Sequence, residues 1–188
     1  MKKRVFDLAV SVPLFLIALP IIVLICIAVS LESRGAPIFR QTRLGKNEKP
    51  FSLYKIRTMY VGTGDHPTHV VGGENITKIG KVLRRTKFDE IPQLGNVIRG
   101  EMSLVGPRPG LPSQNTLAAV RRENHIFDVA PGITGLAQVN GIDMSTHEKL
   151  AIADQEYIQR RDALLDLQII FSTFVRTKAP TINAFSDK

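Results

Sequence analysis

The chain has 188 residues, enough for one globular domain with appended segments. Its formal net charge of +8 and its pI of about 9.9 favour anionic partners such as phospholipid, nucleotide or polyphosphate. Nucleic acid is not an expected partner, because Trp is absent and no aromatic run alternates with basic residues. The single cysteine, Cys26, excludes a disulfide framework and a thiolate metal site.

The N-terminal segment, residues 1–34, is dominated by one long apolar run. No charged residue occurs from Leu8 to Leu31, and a helix of that length could cross a hydrocarbon core of about 30 Å. A secretory signal, a single-pass anchor and a re-entrant helix are the open interpretations. Interior Pro13 and Pro20 favour the re-entrant form, because prolines kink helices. Basic residues at both ends favour it too, since both flanks would stay in the cytoplasm.

Two segments of the next region predict a short β-hairpin. Pro37–Gln41 and Phe51–Arg57 flank a glycine-containing turn. In an extended second arm, Lys55 and Arg57 point to the same face. They could form a cationic surface or an ordinary solvated strand face.

The stretch from Val61 to Asn75 is rich in glycine and carries His66 and His69. Two histidines without supporting ligands are weak evidence for a metal site, so we expect a loop near a functional site. The apolar residues that follow recur at helical spacing and predict an amphipathic helix. They are Ile76, Ile79, Val82 and Leu83.

Asp89 and Glu90 form an acidic pair that follows three basic residues, Arg84, Arg85 and Lys87. We expect Asp89 to be the N-cap of a helix that starts at Glu90 and ends near Arg99, because carboxylates suit the positive end of a helix. The same potential attracts phosphate, so a carboxylate nucleophile and an anionic substrate could meet here. Arg84 lies about one turn before Asp89 and could share the site. The alternative is an acidic cap beside a solvated basic turn.

Arg108 stands between Pro107 and Pro109, which fix the backbone on both sides of its guanidinium. This rigidity suits bidentate phosphate binding. Taken by itself, however, the motif favours a structural proline turn with an exposed arginine. The later chain contains a glycine-rich stretch, 131–141, a predicted helix from about residue 147 and an apolar segment, 164–175. Basic residues bracket that last segment, which suits either a membrane surface or core packing.

Taken together, these segments resemble the bacterial sugar transferase family, specifically its small monotopic polyprenol-phosphate phosphoglycosyl transferases. The motifs occur in the family's order and spacing over nearly the whole chain. The resemblance is to a minimal catalytic unit, without the extra transmembrane helices and accessory domain of larger members. The motifs are the apolar start with Pro20, Tyr54–Met59, Phe88–Leu94, Met102–Pro109, Pro131–Gly135, Gln138–Gly141 and Leu165–Leu167.

The resemblance implies transfer of a sugar 1-phosphate from a UDP-sugar to polyprenol phosphate, with undecaprenyl phosphate as the expected carrier and UMP as the product. Asp89 would be the nucleophile that forms a covalent phosphosugar, and it would also bind the Mg²⁺ that the family requires. Glu90 would assist it. Three basic residues would bind the phosphates of the substrate: Lys55, Arg84 and Arg108. Three further residues are candidates to bind other groups of the substrate: Arg57, Gln138 and Asn140.

The expected fold is α+β and mainly helical. It comprises a re-entrant membrane helix (1–34), a short β-hairpin and amphipathic interfacial helices around a compact catalytic domain (35–180), and a C-terminal tail (181–188). We expect the domain to face the cytoplasm at the bacterial inner membrane and to contact phospholipid. It would initiate a membrane-linked glycan pathway, with downstream glycosyltransferases as further partners. The sugar and the oligomeric state stay open.

Two positions depart from the family pattern. Many members have Trp where this chain has Leu136, and Arg where it has Ile142. The sugar specificity of relatives therefore cannot be assigned to this chain. Two other function classes remain open. One is a membrane-anchored anion-binding module, which would tolerate Asp89→Asn. The other is a carboxylate-dependent phosphatase, although Ile91 stands where a common phosphatase pattern needs a second acid.

Overall fold

The computed structural model describes residues 2–62, 75–175 and 180–183, so His66 and His69 lie outside the described residues. Its fold is α+β and mainly helical, which confirms the predicted class. The helices are α1 (Lys2–Glu32), α2 (Lys78–Thr86), α3 (Leu94–Arg99), α4 (Asn115–Glu123), α5 (Leu136–Val139), α6 (His147–Arg160) and α7 (Ala163–Val175). The strands are β1 (Ile38–Leu44), β2 (Pro50–Ile56), β3 (Ser103–Val105) and β4 (Gly132–Thr134). Short 3-10 helices cover Lys46–Glu48, Phe88–Gln93 and Ile126–Asp128.

Helix α1 packs on the folded domain with both of its halves. Phe6, Val10 and Phe15 of the first half pack against the main core. Val29 in the second half belongs to a smaller core, shared with the hairpin and α2. Apolar side chains such as Ile17, which is 69% exposed, project away from the domain between these contacts. Among the described helices, α1 alone is long and apolar enough to cross a membrane.

Polar contacts attach the start of α1 to the domain. The Arg4 guanidinium donates to the carbonyl of Ile98 at 2.7 Å, where the end of α3 leaves backbone acceptors unpaired. The Asp7 carboxylate is buried and accepts from Ser103 Oγ at 2.8 Å and from the Leu104 amide at 3.2 Å. Because Asp7 accepts hydrogen bonds from two residues of β3, it fixes the position of α1 on this strand.

The end of α1 is attached to the same domain by other groups. The Glu32 carboxylate accepts from the amides of Lys78 at 2.7 Å and Ile79 at 3.1 Å, at the positive end of α2. The Arg57 guanidinium donates to the carbonyls of Ser33 at 2.6 Å and Arg34 at 3.1 Å. Both ends of the apolar helix therefore contact one folded body.

Two small sheets carry the segments that converge on the centre of the domain. The antiparallel pair β1–β2 confirms the predicted hairpin and extends it, with a register from Ile38↔Ile56 to Leu44↔Pro50. Strands β3 and β4 form a parallel pair in which Ser103 lies opposite Gly132. A Cβ atom on Gly132 would lie 2.1 Å from the Gly106 amide nitrogen, so the glycine allows two backbones to touch.

The main core joins the hairpin to the C-terminal helices. Ile182 is buried within it, so residues 181–183 of the predicted tail pack with the domain. Helix α7 buries Leu165 and Ile169 and exposes Phe171 and Phe174, so it packs on the core with one side and presents apolar groups on the other. The buried core residues are Phe51, Leu53, Leu94, Val97, Met102, Leu104, Val105, Leu117, Leu136, Ala137, Leu150, Ala153, Tyr157, Leu165, Ile169 and Ile182.

We predict that Asp7→Ala lowers the free energy of unfolding by about 1–3 kcal/mol, because Ser103 and Leu104 would each lose a buried partner. Thermal unfolding of the detergent-solubilised protein measures the change. Val5→Ala is the control, since Val5 lies on the same helix and is 65% exposed. Equal melting temperatures for the two variants would contradict the role assigned to Asp7.

Candidate active site

Asp89 is not the N-cap of one continuous helix, and that prediction was wrong. Helix α2 ends at its C-cap residue Lys87, which has a left-handed φ of 63°. The Lys87 amide donates to the Leu83 carbonyl. The chain then enters the 3-10 helix Phe88–Gln93 at once, and α3 begins only at Leu94. The sharp left-handed residue leaves no extended position for a cap, so Asp89 lies inside the first turn of the 3-10 helix.

The position of Arg84 depends on close packing of α2 against the end of the hairpin. A Cβ atom on Gly80 would lie 2.1 Å from the Thr58 carbonyl oxygen, so only glycine permits this approach. Thr77 accepts from the Gly80 amide at 2.9 Å and caps the helix. Arg84 Nε then donates to Thr58 Oγ1 at 2.9 Å, which brings the guanidinium to the side of Asp89.

Glu90 binds two of the predicted phosphate-binding cations. Lys55 Nζ from β2 lies 2.9 Å from Glu90 Oε1, and Arg108 Nη2 lies 3.4 Å from the same oxygen. The turn that carries Arg108 is itself held in place. Arg43 Nη1 donates to the Pro109 carbonyl at 2.9 Å, and the Gly132 amide donates to the Pro107 carbonyl at 2.9 Å.

The pKa values of the two neighbouring carboxylates shift in opposite directions. Burial favours the neutral form of Glu90, but the charges of Lys55 and Arg108 outweigh it and hold the pKa of Glu90 at about 2. Burial raises the pKa of Asp89, an effect that Lys55 and Arg84 reduce without cancelling it. Within the described part of the chain, Asp89 forms no ion pair. Asp89 is thus a buried carboxylate with a free oxygen beside a neighbour that is fixed and charged.

A cavity of about 980 Å³ opens on this pair, and we call it the cationic cavity. Its described lining includes seven basic side chains and two carboxylates, so it suits a ligand with several negative charges. Three of these basic residues, Arg40, Arg43 and Lys87, were not predicted as site residues from the sequence. Lys87 directly precedes the predicted site motif. The basic residues are Arg40, Arg43, Lys55, Arg57, Arg84, Lys87 and Arg108, and the acids are Asp89 and Glu90.

Three further candidates from the sequence lie in different surroundings. Arg57 lines the cationic cavity, but its guanidinium holds the end of α1. Gln138 lines a second, mainly apolar cavity, and its Oε1 is buried without a hydrogen-bond partner among the described residues. Asn140 donates to the carbonyls of Leu136 and Pro180 and lines neither cavity.

The positions that depart from the family pattern face the core. Leu136 is fully buried, and Ile142 packs against the same cluster. Neither lines the cationic cavity. At these positions the chain therefore has apolar side chains that pack in the core.

Within the described residues, the acidic pair is the candidate site for a divalent cation held together with a bound ligand. No group of three or more His, Cys, Asp or Glu side chains that could hold a metal occurs among the described residues. Mg²⁺ commonly takes one or two carboxylates and completes its shell with phosphate oxygens and water. Asp89 and Glu90 supply two carboxylates at the wall of an anion-binding cavity, which fits this mode.

Comparison with known proteins identifies the family. The model of the family described as bacterial sugar transferase matches residues 1–179. The chain is 37% identical over 195 residues to the UDP-glucose:undecaprenyl-phosphate glucose-1-phosphate transferase of Caulobacter vibrioides, covering 98% of this chain and 72% of that protein.

Two longer relatives match as well. The chain is 40% identical to the undecaprenyl-phosphate glucose phosphotransferase of Komagataeibacter xylinus, covering 94% of this chain and 36% of that protein. It is 39% identical to the UDP-glucose:undecaprenyl-phosphate glucose-1-phosphate transferase of Escherichia coli, covering 91% of this chain and 39% of that protein. The chain thus spans well under half the length of these two proteins. With the match over residues 1–179, this chain belongs to the bacterial sugar transferase family.

Proposed function

We propose that this protein transfers a sugar 1-phosphate from a UDP-sugar to polyprenyl phosphate through a covalent intermediate on Asp89, with release of UMP. The observation that carries the proposal is the contrast within the acidic pair. Asp89 is buried without an ion pair among the described residues, whereas Glu90 is neutralised by Lys55 and Arg108. The names of the relatives support the reaction class.

In the first step, an Asp89 carboxylate oxygen attacks the sugar-proximal phosphorus of the UDP-sugar. The bond from that phosphorus to the bridging oxygen breaks, and UMP leaves with the electron pair. Burial raises the pKa of Asp89, which makes its carboxylate more basic than a solvated one and a better nucleophile. Lys55, Arg84 and Arg108 lower the repulsion between this anion and the diphosphate.

In the second step, a phosphate oxygen of the polyprenyl acceptor attacks the same phosphorus. The bond between phosphorus and the Asp89 oxygen breaks, and the free carboxylate is restored. The product is a polyprenyl diphosphate sugar, and no proton needs to be removed from a dianionic acceptor. Glu90 acts as a positioning residue, because it fixes Lys55 and Arg108 on the phosphate side of the cavity.

Mg²⁺ is the proposed cofactor. Asp89 would contribute to its coordination together with the substrate phosphates, and the neighbouring Glu90 carboxylate is the second available protein ligand. When bound, the ion supplies positive charge that stabilises the leaving phosphate. The seven basic side chains of the cationic cavity do not replace it, because each carries a single positive charge and two of them are already paired with Glu90.

UDP-glucose is the first donor to test. Several relatives carry UDP-glucose in their names, while one from Erwinia amylovora is named a UDP-galactose-lipid carrier transferase. A relative from Rhizobium leguminosarum is named an exopolysaccharide production protein, which supports a role at the start of polysaccharide assembly. Glycosyltransferases that extend the lipid-linked sugar would then act next.

We further propose that α1 is re-entrant and that the domain faces the cytoplasm at the inner membrane. Its two ends contact one folded domain, through Arg4 and Asp7 at the start and Glu32 at the end. A straight span would carry one end to the opposite side of the bilayer and break one set of contacts. The exposed apolar side chains of α1 and α7 suit contact with lipid.

Asp89→Asn should leave the fold intact and reduce transfer at least about 1,000-fold, because an amide cannot act as the nucleophile. Mass spectrometry after incubation with UDP-glucose and Mg²⁺ should find a hexose phosphate on Asp89 of the wild type and none on the variant. Asp128→Asn is the control, since the Asp128 side chain is 68% exposed. Full activity of Asp89→Asn would defeat the covalent mechanism and favour an anion-binding role.

Arg108→Lys should weaken binding of the UDP-sugar about ten- to a hundredfold, because an ammonium loses the planar two-donor fork. It can still make the single contact with Glu90. Arg122→Lys is the matched control, because Arg122 forms an exposed pair with Glu48. Donor titration in the adduct assay gives the affinities, and unchanged affinity in Arg108→Lys would exclude a bidentate role.

Topology can be tested with Lys2→Cys and Lys46→Cys, each in a Cys26→Ser background. Lys2 and Lys46 are exposed and lie on either side of the apolar run. In intact spheroplasts, a membrane-impermeant maleimide should label neither cysteine until the membrane is opened. Labelling of the Lys2→Cys variant from outside would establish a full span.

A further inference from the structure

A second cavity, of about 520 Å³, lies on the other side of the acidic pair. We call it the apolar cavity, because eleven of its seventeen lining residues are apolar and only Lys87 and Glu90 are charged. Helix α1 contributes Val10, Leu14 and Ala18 to the wall, and α7 contributes Ile170 and Phe174.

The two cavities meet at the acidic pair. Lys87 and Glu90 line both of them, while Asp89 lines the cationic cavity alone. Lys87 is exposed, and its charge acts on Asp89. A ligand with one phosphate and a long apolar chain could place the phosphate at Lys87 and the chain in the apolar cavity.

Several polar groups in the apolar cavity already have partners within the protein. Thr134 Oγ1 and Thr173 Oγ1 lie 2.7 Å apart, and Thr173 also donates to the Ile169 carbonyl at 2.8 Å. Gln138 Nε2 donates to the Ile133 carbonyl at 3.3 Å. These bonds leave the wall mainly apolar, which favours a hydrocarbon chain over a sugar or nucleotide.

The cavity also lies beside the surface that faces lipid. Leu14 is 46% exposed and Phe174 is 68% exposed, although both line the cavity. Each belongs to a helix whose outer side is apolar and uncovered by the described residues. A lipid could therefore pass from the bilayer into the cavity between α1 and α7 without exposing its chain to water.

We infer that the apolar cavity is the acceptor site, where α1 and α7 bind the first isoprene units of polyprenyl phosphate and Lys87 binds its phosphate. This assignment rests on the proposed transfer reaction and adds the route of the second substrate. Donor and acceptor then reach the acidic pair from opposite sides. The soluble nucleotide sugar uses the cationic cavity, and the lipid uses the apolar one.

Two pairs of variants test the assignment. Phe174→Ala removes a lining ring, whereas Phe171→Ala removes an exposed ring of the same helix that does not line the cavity. Ala18→Leu fills part of the cavity, whereas Ala9→Leu adds the same volume on the exposed side of α1. Phe174 is mostly exposed, so its replacement keeps the test decisive if Ala18→Leu disturbs folding.

The two half-reactions are measured separately. Adduct formation from UDP-glucose without acceptor should be unchanged within about twofold in all four variants. The concentration of polyprenyl phosphate that half-saturates adduct discharge should rise about tenfold in Phe174→Ala, where contact with a few methylenes is lost. It should rise similarly in Ala18→Leu, where the larger side chain occupies part of the cavity, and should not change in the two control variants. Unchanged discharge in Phe174→Ala would overturn the acceptor site. Absence of an adduct in the wild type would instead overturn the proposed reaction.

Photolabelling locates the lipid independently of activity. A prenyl phosphate with a diazirine in its first isoprene unit should label residues 10–18 or 170–174 of the wild-type protein in nanodiscs. Excess unlabelled polyprenyl phosphate should suppress this labelling, whereas a phospholipid should not. Labelling confined to the hairpin, or suppression by phospholipid alone, would contradict the assignment.

Discussion

The ion pair between Glu90 and Lys55 joins the parts of the chain on which the candidate active site depends. Lys55 comes from β2 and Glu90 from the 3-10 helix, with 2.9 Å between Nζ and Oε1. Arg108, from a third segment, meets the same oxygen at 3.4 Å. Burying one of these charges alone would be costly, so each segment stabilises the position of the others.

This arrangement also explains why two adjacent acids behave differently. Lys55 and Arg108 form ion pairs with Glu90, whereas among the described residues the cations act on Asp89 only through their charge. Burial therefore determines the direction of the pKa shift of Asp89, and nearby charge determines that of Glu90. A single carboxylate in this cavity could not be both a fixed anchor for cations and a free nucleophile. In the proposed mechanism, the pair divides these two tasks between neighbours in the chain.

Much of the fold was predictable because its signals are local. The apolar run of α1, the hairpin around residue 46 and the helical spacing before residue 84 each lie within one segment. The wrong N-cap shows the limit of such signals. Asp89 has a typical capping residue type, but the left-handed Lys87 that ends α2 determines where the next turn begins. Lysine has no preference for a left-handed conformation, so the sequence does not predict that turn.

The site was predictable only in part for a related reason. Lys55 and Arg108 were identified through motifs and Arg84 through its position one turn before Asp89, and all three do line the cavity at the acidic pair. Gln138 and Asn140 come from an equally recognisable motif, yet Asn140 bonds to nearby backbone. In that motif the glycines serve contact between two backbones at Gly106. A motif indicates that its residues have a specific role, but only the tertiary contacts show whether that role is ligand binding or packing.

The contacts at the start of α1 impose an order on biogenesis. Lys3 Nζ lies 2.7 Å from an oxygen of Asp166, a partner synthesised 163 residues later. The apolar helix is therefore synthesised long before the groups that hold its first turn exist. During that interval Lys3 and Asp7, one turn apart at 3.4 Å, can neutralise each other. The first turn of the helix thus carries its own counter-ion, to which Asp166 adds a second and closer carboxylate when α7 emerges and docks.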